Sequence, residues 1–392
     1  MPDLAERVHS LQPTAVNAIL SEVRALQAHG RKVVSLMRGE PDFRTPEHIV
    51  EAAIRSLRDG RTGYPDNRGE MALRQAVEQK LNRENDLDYD PVSEILITDG
   101  ATMGIHAALM ALIDPGDAVM LPDPVYDAYQ SPIRLAGGRI VRVPSRLAHG
   151  RFVLDPETLE AAWTPEVKAL ILNTPWNPVG TVFSPQEIAH IAEFVIRRDM
   201  ILISDEIYEW ITYEGNKHVS PVAAVRELRE RCILVNSFSK TYAMTGWRLG
   251  YCAGPKDFIH AMFMVLAQSS RGPATFIQDA GAAALSGPQT CVDDMRAAYT
   301  QRRALVMESL AGIPRVHSLP PEGGFFSMVD IRETGVASNK VRERLLHEFG
   351  VVVIHGAAYG ECGEGTLRVS FASGGNQLVS GLDLLRQGLG SL

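Results

Sequence analysis

Cysteine is scarce: Cys232, Cys252, Cys291 and Cys362 are the only four in 392 residues. No two of them stand as C-x-x-C, which argues against a zinc ribbon, and thiols so few and so far apart do not suggest a disulfide scaffold. Four free thiols fit a reducing compartment, so a cytoplasmic location is expected. Positive charge is also in short supply. The 39 Lys and Arg face 47 Asp and Glu, for a net charge of −8. That balance argues against a chain whose main task is to coat nucleic acid or an anionic membrane, while leaving room for a local basic pocket around a small anion. Long hydrophobic runs are missing too. The longest, near Ile105–Ile113 and Met262–Ala267, fall short of the ~20 residues that span a bilayer. The opening Met1-Pro2-Asp3-Leu4-Ala5-Glu6-Arg7 has no basic segment leading into an apolar one, so no signal peptide is expected. There is no internal repeat and no low-complexity tract. What remains is globular: 45% hydrophobic and 22% charged residues, with a length that suggests two domains.

Short apolar runs alternate with helical patterns through the middle of the chain. The runs are Glu94–Thr98, Ala118–Leu121, Arg139–Val143, Ala169–Leu172, Met200–Ser204 and Ile233–Asn236. Their hydrophobicity is continuous rather than alternating, which predicts parallel strands buried on both faces. Gly104–Ile113 and Pro185–Arg197 have helical spacing between them, so a doubly wound α/β domain is expected. The ends read differently. Pro13–Gly30 is an amphipathic helix with Val16, Ile19, Leu20, Val23 and Leu26 on one face, stopped at Gly30. Beyond about residue 280, long helices mix with strands at Gly324–Val329, Val351–Ile354 and Thr366–Phe371, as in a smaller α+β unit.

Four segments carry chemistry. Ser237-Phe238-Ser239-Lys240 follows the run Ile233–Asn236 and is itself followed by Thr245-Gly246-Trp247-Arg248-Leu249-Gly250. Open α/β sheets place ligands at the carboxyl ends of their strands, where this lysine falls. Two hydroxyls and a guanidinium suit phosphate oxygens. A surface lysine after a serine-rich turn is the plain alternative, and the attached Gly246, Arg248 and Gly250 weigh against it. Asp205 ends the apolar run Met200–Ser204, where a buried carboxylate needs a partner; a helix cap is the ordinary alternative. Tyr208 lies three residues on. Asn173-Thr174-Pro175-Trp176-Asn177-Pro178-Val179-Gly180 ends another run and is either a connecting loop or an amide donor at the sheet's mouth. Asp99-Gly100-Ala101-Thr102-Met103-Gly104 opens a helix with small residues, whose backbone N–H groups suit phosphate.

Together these segments resemble the fold-type I, pyridoxal-phosphate-dependent aminotransferases of class I/II, the aspartate aminotransferase superfamily. The resemblance runs from Gly39-Glu40-Pro41-Asp42-Phe43 through Tyr64, Gly69 and Leu73-Arg74 to Leu367-Arg368-Val369-Ser370-Phe371. It implies a large α/β domain at 46–280, with a mostly parallel sheet, and a smaller discontinuous α+β domain from 1–45 and 281–392. It implies that Lys240 forms a Schiff base with pyridoxal phosphate and then moves the substrate proton. Asp205 would pair with the pyridine nitrogen, while Asn177 and Tyr208 would bond the phenolic oxygen. Tyr126 would stack on the ring. Ala101 and Thr102, through backbone N–H, would hold the phosphate with Ser237, Ser239 and Arg248. Arg368 would clamp the substrate carboxylate beside Gly39. Tyr64 would reach the neighbouring subunit's phosphate, which would make the protein a homodimer with shared active sites; a helix-flanking surface aromatic is the alternative. No metal, nucleic acid or membrane partner is implied.

Substrate choice is less legible. Arg38, just before Gly39, and Arg271, in Ser270-Arg271-Gly272-Pro273, are candidates to face an acidic side chain, and pairing with a surface carboxylate is the alternative for each. Trp176 either narrows the pocket or packs under the loop. The leading expectation is transfer of an amino group from an L-amino acid to a 2-oxo acid, with the aspartate/glutamate type as one candidate. A basic or aromatic donor, or a C–S lyase of the same fold, is the alternative. A non-enzymatic sensor domain is a third class.

Overall fold

All six apolar runs of the middle region become strands of one sheet. We number its members β1 (Ile95–Thr98), β2 (Ala118–Asp123), β3 (Arg139–Pro144), β4 (Val167–Asn173), β5 (Ile201–Asp205), β6 (Cys232–Ser237) and β7 (Gly250–Ala253). The computed structural model describes residues 3, 5–9, 11 and 13–392. Met1, Pro2 and Leu4 of the opening segment lie outside the described residues.

The sheet order is β1-β7-β6-β5-β4-β2-β3. Neighbours from β6 to β3 are parallel. The expectation of parallel strands buried on both faces holds for β2, β4, β5 and β6 and needs three corrections. β1 is buried, but its one ladder, to β7, is antiparallel. β7 was not read as a strand, and it runs antiparallel to both β1 and β6. β3 is an edge strand with mostly half-exposed residues, so its apolar run covers one side only. Helices cover both faces. Ala101–Leu112 and Lys256–Ala267 pack with one apolar cluster, and Met71–Asn85, Pro185–Arg197 and Thr275–Ser286 with another. Pro185–Arg197 starts where the sequence places it, on a capping box in which Ser184 and Glu187 satisfy each other's backbone N–H.

The chain's two ends meet. Val34–Ser35 pairs in parallel with Val351–Val352. The predicted strand Val351–Ile354 is therefore two: its first half joins this pair, and Ile354–His355 joins a four-stranded sheet with Thr366–Ser370, Phe326–Asp330 and His317–Leu319. The N-terminal helix spans Ala15–Ala28, capped by the Thr14 hydroxyl, which accepts from the Asn17 N–H. Its Ile19 and Val23 pack with Met37, Val352, Ile354 and Tyr359. Gly30, at φ +80°, ends it in the left-handed region. No helix among the described residues is long and apolar enough to cross a membrane.

Candidate active site

β4, β5 and β6 lie side by side, so their carboxyl ends deliver Asn173, Asp205 and Ser237 to one place. Asn173 and Asp205 are direct partners across the β4–β5 ladder. A cleft of about 850 Å³ opens there. Of the residues named from sequence, Arg38, Gly39, Ala101, Thr102, Tyr126, Asn177, Asp205, Tyr208, Ser237, Ser239, Lys240, Arg248 and Arg368 all line it. Tyr64 and Arg271 do not. Tyr64 projects from the surface with 91% of its area exposed.

Asp205 is buried, and the Tyr129 hydroxyl donates to its Oδ2 at 2.5 Å while the Ile207 N–H donates to Oδ1. Burial raises its pKa to about 6, against the lowering effect of those two bonds. This carboxylate needs a cation, and the nearby Lys240 already has another partner. The Lys240 ammonium donates to the Gly39 carbonyl at 2.6 Å and lies over the Phe325 ring. Desolvation is the main cause that lowers its pKa to about 8; Glu40 opposes the shift, and Arg368 and Arg248 add to it.

Arg368 is buried between the two ends of the chain. It donates to Asn177 Oδ1 and to the Met37 carbonyl, both at 3.1 Å, and its Nε has no partner. The Tyr359 ring lies 5.0 Å below the guanidinium. An arginine so buried, with a donor left unmade, is prepared for an anion.

A second anion seat lies at the start of the helix Ala101–Leu112, whose first N–H groups have no side-chain cap. Arg248 reaches it from a left-handed backbone, φ 53°. Glycine is required on both sides. A Cβ at Gly100 would stand 2.6 Å from Arg248 Nη2, and one at Gly250 would stand 2.9 Å from the Ala101 nitrogen. The Ser237 hydroxyl donates to the Leu249 carbonyl and accepts from the Ser239 N–H, so it already has partners. Ser239 is the hydroxyl of the pair with no such bond to the backbone.

Tyr129, Asp127 and Tyr359 are among the cleft residues to which the sequence assigns no role. Tyr129 holds Asp205, and Asp127 and Tyr359 line the wall near Arg368. The signal for Tyr129 was present as the three-residue spacing from Tyr126, which turns both rings into one cleft with centroids 5.5 Å apart. Trp176 is buried, stacks on Phe183 and donates to the Pro124 carbonyl, so it packs under the loop and does not line the cleft. Arg38 lines the cleft, and its guanidinium pairs with Glu40.

Known proteins share this sequence and fold. The family model described as aminotransferase class I and II matches residues 31–380. The aspartate aminotransferase of Geobacillus stearothermophilus is 36% identical over 389 residues, covering 98% of each chain. Aromatic-amino-acid aminotransferase 2 of Thermococcus litoralis is 37% identical over 388 residues, covering 98% of this chain and 97% of its own. The solved aspartate aminotransferase of Rhizobium meliloti superposes with a TM-score of 0.95 at 32% identity, covering 99% of both chains.

Proposed function

The chain belongs to the class I and II aminotransferases, and from that premise we propose that the cleft around Lys240 is where it passes an amino group from an L-amino acid to a 2-oxo acid. Class I/II aminotransferases of this kind use pyridoxal phosphate. The residues present fit that group: an uncapped helix start with Arg248 for its phosphate, the buried Asp205 carboxylate for its ring nitrogen, and an amine of lowered pKa for its aldehyde carbon. When bound, pyridoxal phosphate supplies an electron sink for the pair left behind when the substrate Cα–H bond breaks.

The chain's own residues do the rest. Lys240 would hold the cofactor through its amine and, when free, would move the proton at the substrate Cα; its pKa, lowered to about 8, favours a neutral amine near working pH. Asp205, fixed by Tyr129, would keep a proton on the ring nitrogen through its negative charge. Asn177 and Tyr208 would bond the phenolic oxygen, Tyr126 would stack on the ring, and Ala101, Thr102, Ser237, Ser239 and Arg248 would take the phosphate; all of them line the cleft. Arg368 takes the substrate carboxylate as a fork beside Gly39, which sets the angle of the Cα–H bond. Tyr64, exposed on one protomer, reaches the partner's site in a homodimer. We read the domains as 46–280 and as 1–45 with 281–392, a division supported by the pairing of Val34–Ser35 with Val351–Val352.

The observation that carries this reading is the meeting of Lys240, Asp205 and Arg368 in one cleft. Transfer of ¹⁵N from a labelled amino acid to an unlabelled 2-oxo acid tests it. Labelled product amino acid is expected. Ammonia with pyruvate, formed without any acceptor, would establish the lyase instead.

An acidic amino acid as one of the two substrates is supported by the place of Arg38 on the wall and by relatives named aspartate aminotransferase. Arg38 would have to exchange Glu40 for the substrate. Arg38→Ala is expected to lower kcat/KM for glutamate and aspartate relative to alanine by about tenfold. An unchanged ratio would remove Arg38 from substrate choice.

A further inference from the structure

An aminotransferase receives two substrates in turn at the same cleft, so each charged wall residue not engaged by the cofactor or the α-carboxylate bears on side-chain choice. Among the described residues lining the cleft, the acids are Glu40, Asp127 and Asp205. Glu40 is paired with Arg38, and Asp205 receives Tyr129. Asp127 has the Arg368 charge and the Thr14 hydroxyl beside it and makes no ion pair of its own. It is only 7% exposed, and its Oδ2 is buried without a hydrogen-bond partner. An unpaired carboxylate oxygen in such a place costs stability, so its retention calls for a partner from outside the chain.

The surroundings say where on the substrate that partner sits. Asp127 shares a corner with Arg368 and Tyr359: the guanidinium acts on both the carboxylate and the phenol, and the carboxylate acts on the phenol in turn. The Tyr359 hydroxyl is a second buried polar atom there without a partner. Thr14, Val16, Asn17 and Leu20, at the start of the N-terminal helix, line the same cleft; Val16 and Leu20 supply aliphatic wall, and the Thr14 hydroxyl bonds Asp127. A substrate held at Arg368 by its α-carboxylate would extend its side chain along that wall.

We propose that Asp127 reads the side chain of one of the two substrates and selects a donor that ends in N–H groups, an ammonium or a guanidinium. The proposal rests on the amino-transfer reading of this cleft. The methylene stem lies against Val16 and Leu20, and the terminal cation meets Asp127 Oδ2, with the Tyr359 hydroxyl as a further acceptor. Burial raises the Asp127 pKa, opposed first by Arg368. A substrate cation adds to that opposition and keeps the carboxylate ionised. Arg38 on the rim and Asp127 in the wall then give the cleft one device for each sign of side chain.

The test compares the pyridoxal-phosphate-loaded protein with its Asp127→Asn and Asp127→Glu variants, using lysine, ornithine and arginine against norleucine, which has lysine's carbon skeleton and lacks the terminal amine. The protein as it stands should prefer at least one cationic donor over norleucine in kcat/KM by about tenfold or more. Asp127→Asn should abolish that preference and Asp127→Glu should retain part of it. Equal use of norleucine and all three cationic donors, or a ratio unmoved by Asp127→Asn, overturns the proposal. Equilibrium binding of 6-aminohexanoate against heptanoate gives the same ratio without turnover. A ratio that favours the amine and falls in Asp127→Asn supports Asp127, and a ratio near one overturns it. If no amino acid reacts at all, the amino-transfer reading has failed, and the binding ratio still decides Asp127.

Discussion

The Tyr129 hydroxyl donates to Asp205 Oδ2 at 2.5 Å, two buried side chains brought together from the loop after β2 and the end of β5. This bond is the largest influence holding the Asp205 pKa down against burial. Tyr129→Phe removes it and leaves the rest of the ring in place. The Asp205 pKa should rise further above about 6. The acidic limb of the pH profile of cofactor affinity should move up with it. An unmoved limb would show that Tyr129 merely fills space.

Asp205 is the second point of test, because here function and stability oppose each other. Its folded pKa, about 6, lies above the ordinary carboxylate value of 3.8. A raised value means that the folded state binds the proton more readily than the unfolded chain does. The stability contribution is therefore present below pH 3.8 and is lost as pH rises through about 6. Asp205→Asn removes that loss. The cofactor-free variant should be more stable than its parent at pH 7, by on the order of 1–3 kcal/mol, while amino transfer collapses. Urea unfolding at pH 4 and pH 7 checks the sign: the difference should shrink at the lower pH.

Gly250 tests the second anion seat. A Cβ there would stand 2.8 Å from the Asn236 carbonyl oxygen and 2.9 Å from the Ala101 nitrogen, with backbone on every side. Gly250→Ala should push the helix start out of place, cost about 1–3 kcal/mol of stability and weaken pyridoxal phosphate binding. Gly246, with nothing near its Cβ position, is the control: Gly246→Ala should leave cofactor affinity close to that of the parent.

The sequence made some of this visible and hid the rest for physical reasons. Asp205 and Lys240 stood out because each follows a continuous apolar run, and parallel strands are built from such runs and end at ligand sites. Asn177 and Arg248 were visible by the same logic, one loop further along. Arg368 lies inside the strand Thr366–Ser370, where local pattern says only that it is buried; the resemblance alone singled it out. Asp127 and Tyr129 sit in one short 3₁₀ turn; the spacing from Tyr126 points to Tyr129, but nothing local singles out Asp127. β7 escaped notice because it is four residues long and opens with a glycine. β3 misled because an apolar run at a sheet edge has the same composition as one inside it. The meeting of Val34–Ser35 with Val351–Val352 is a contact between distant segments, to which short-range pattern is blind.

The central claim is that Lys240 is the amine through which this cleft exchanges amino groups. Its pKa, lowered by burial to about 8, makes it reactive near neutral pH. The most direct measurement is the absorbance of the pyridoxal-phosphate-loaded protein titrated with single amino acids and no 2-oxo acid, in parallel with Lys240→Ala. The account predicts that the parent's Schiff-base band bleaches with at least one amino acid and returns on adding a 2-oxo acid, and that Lys240→Ala shows neither change. A band that persists with every amino acid, or a Lys240→Ala variant that still cycles, would contradict it.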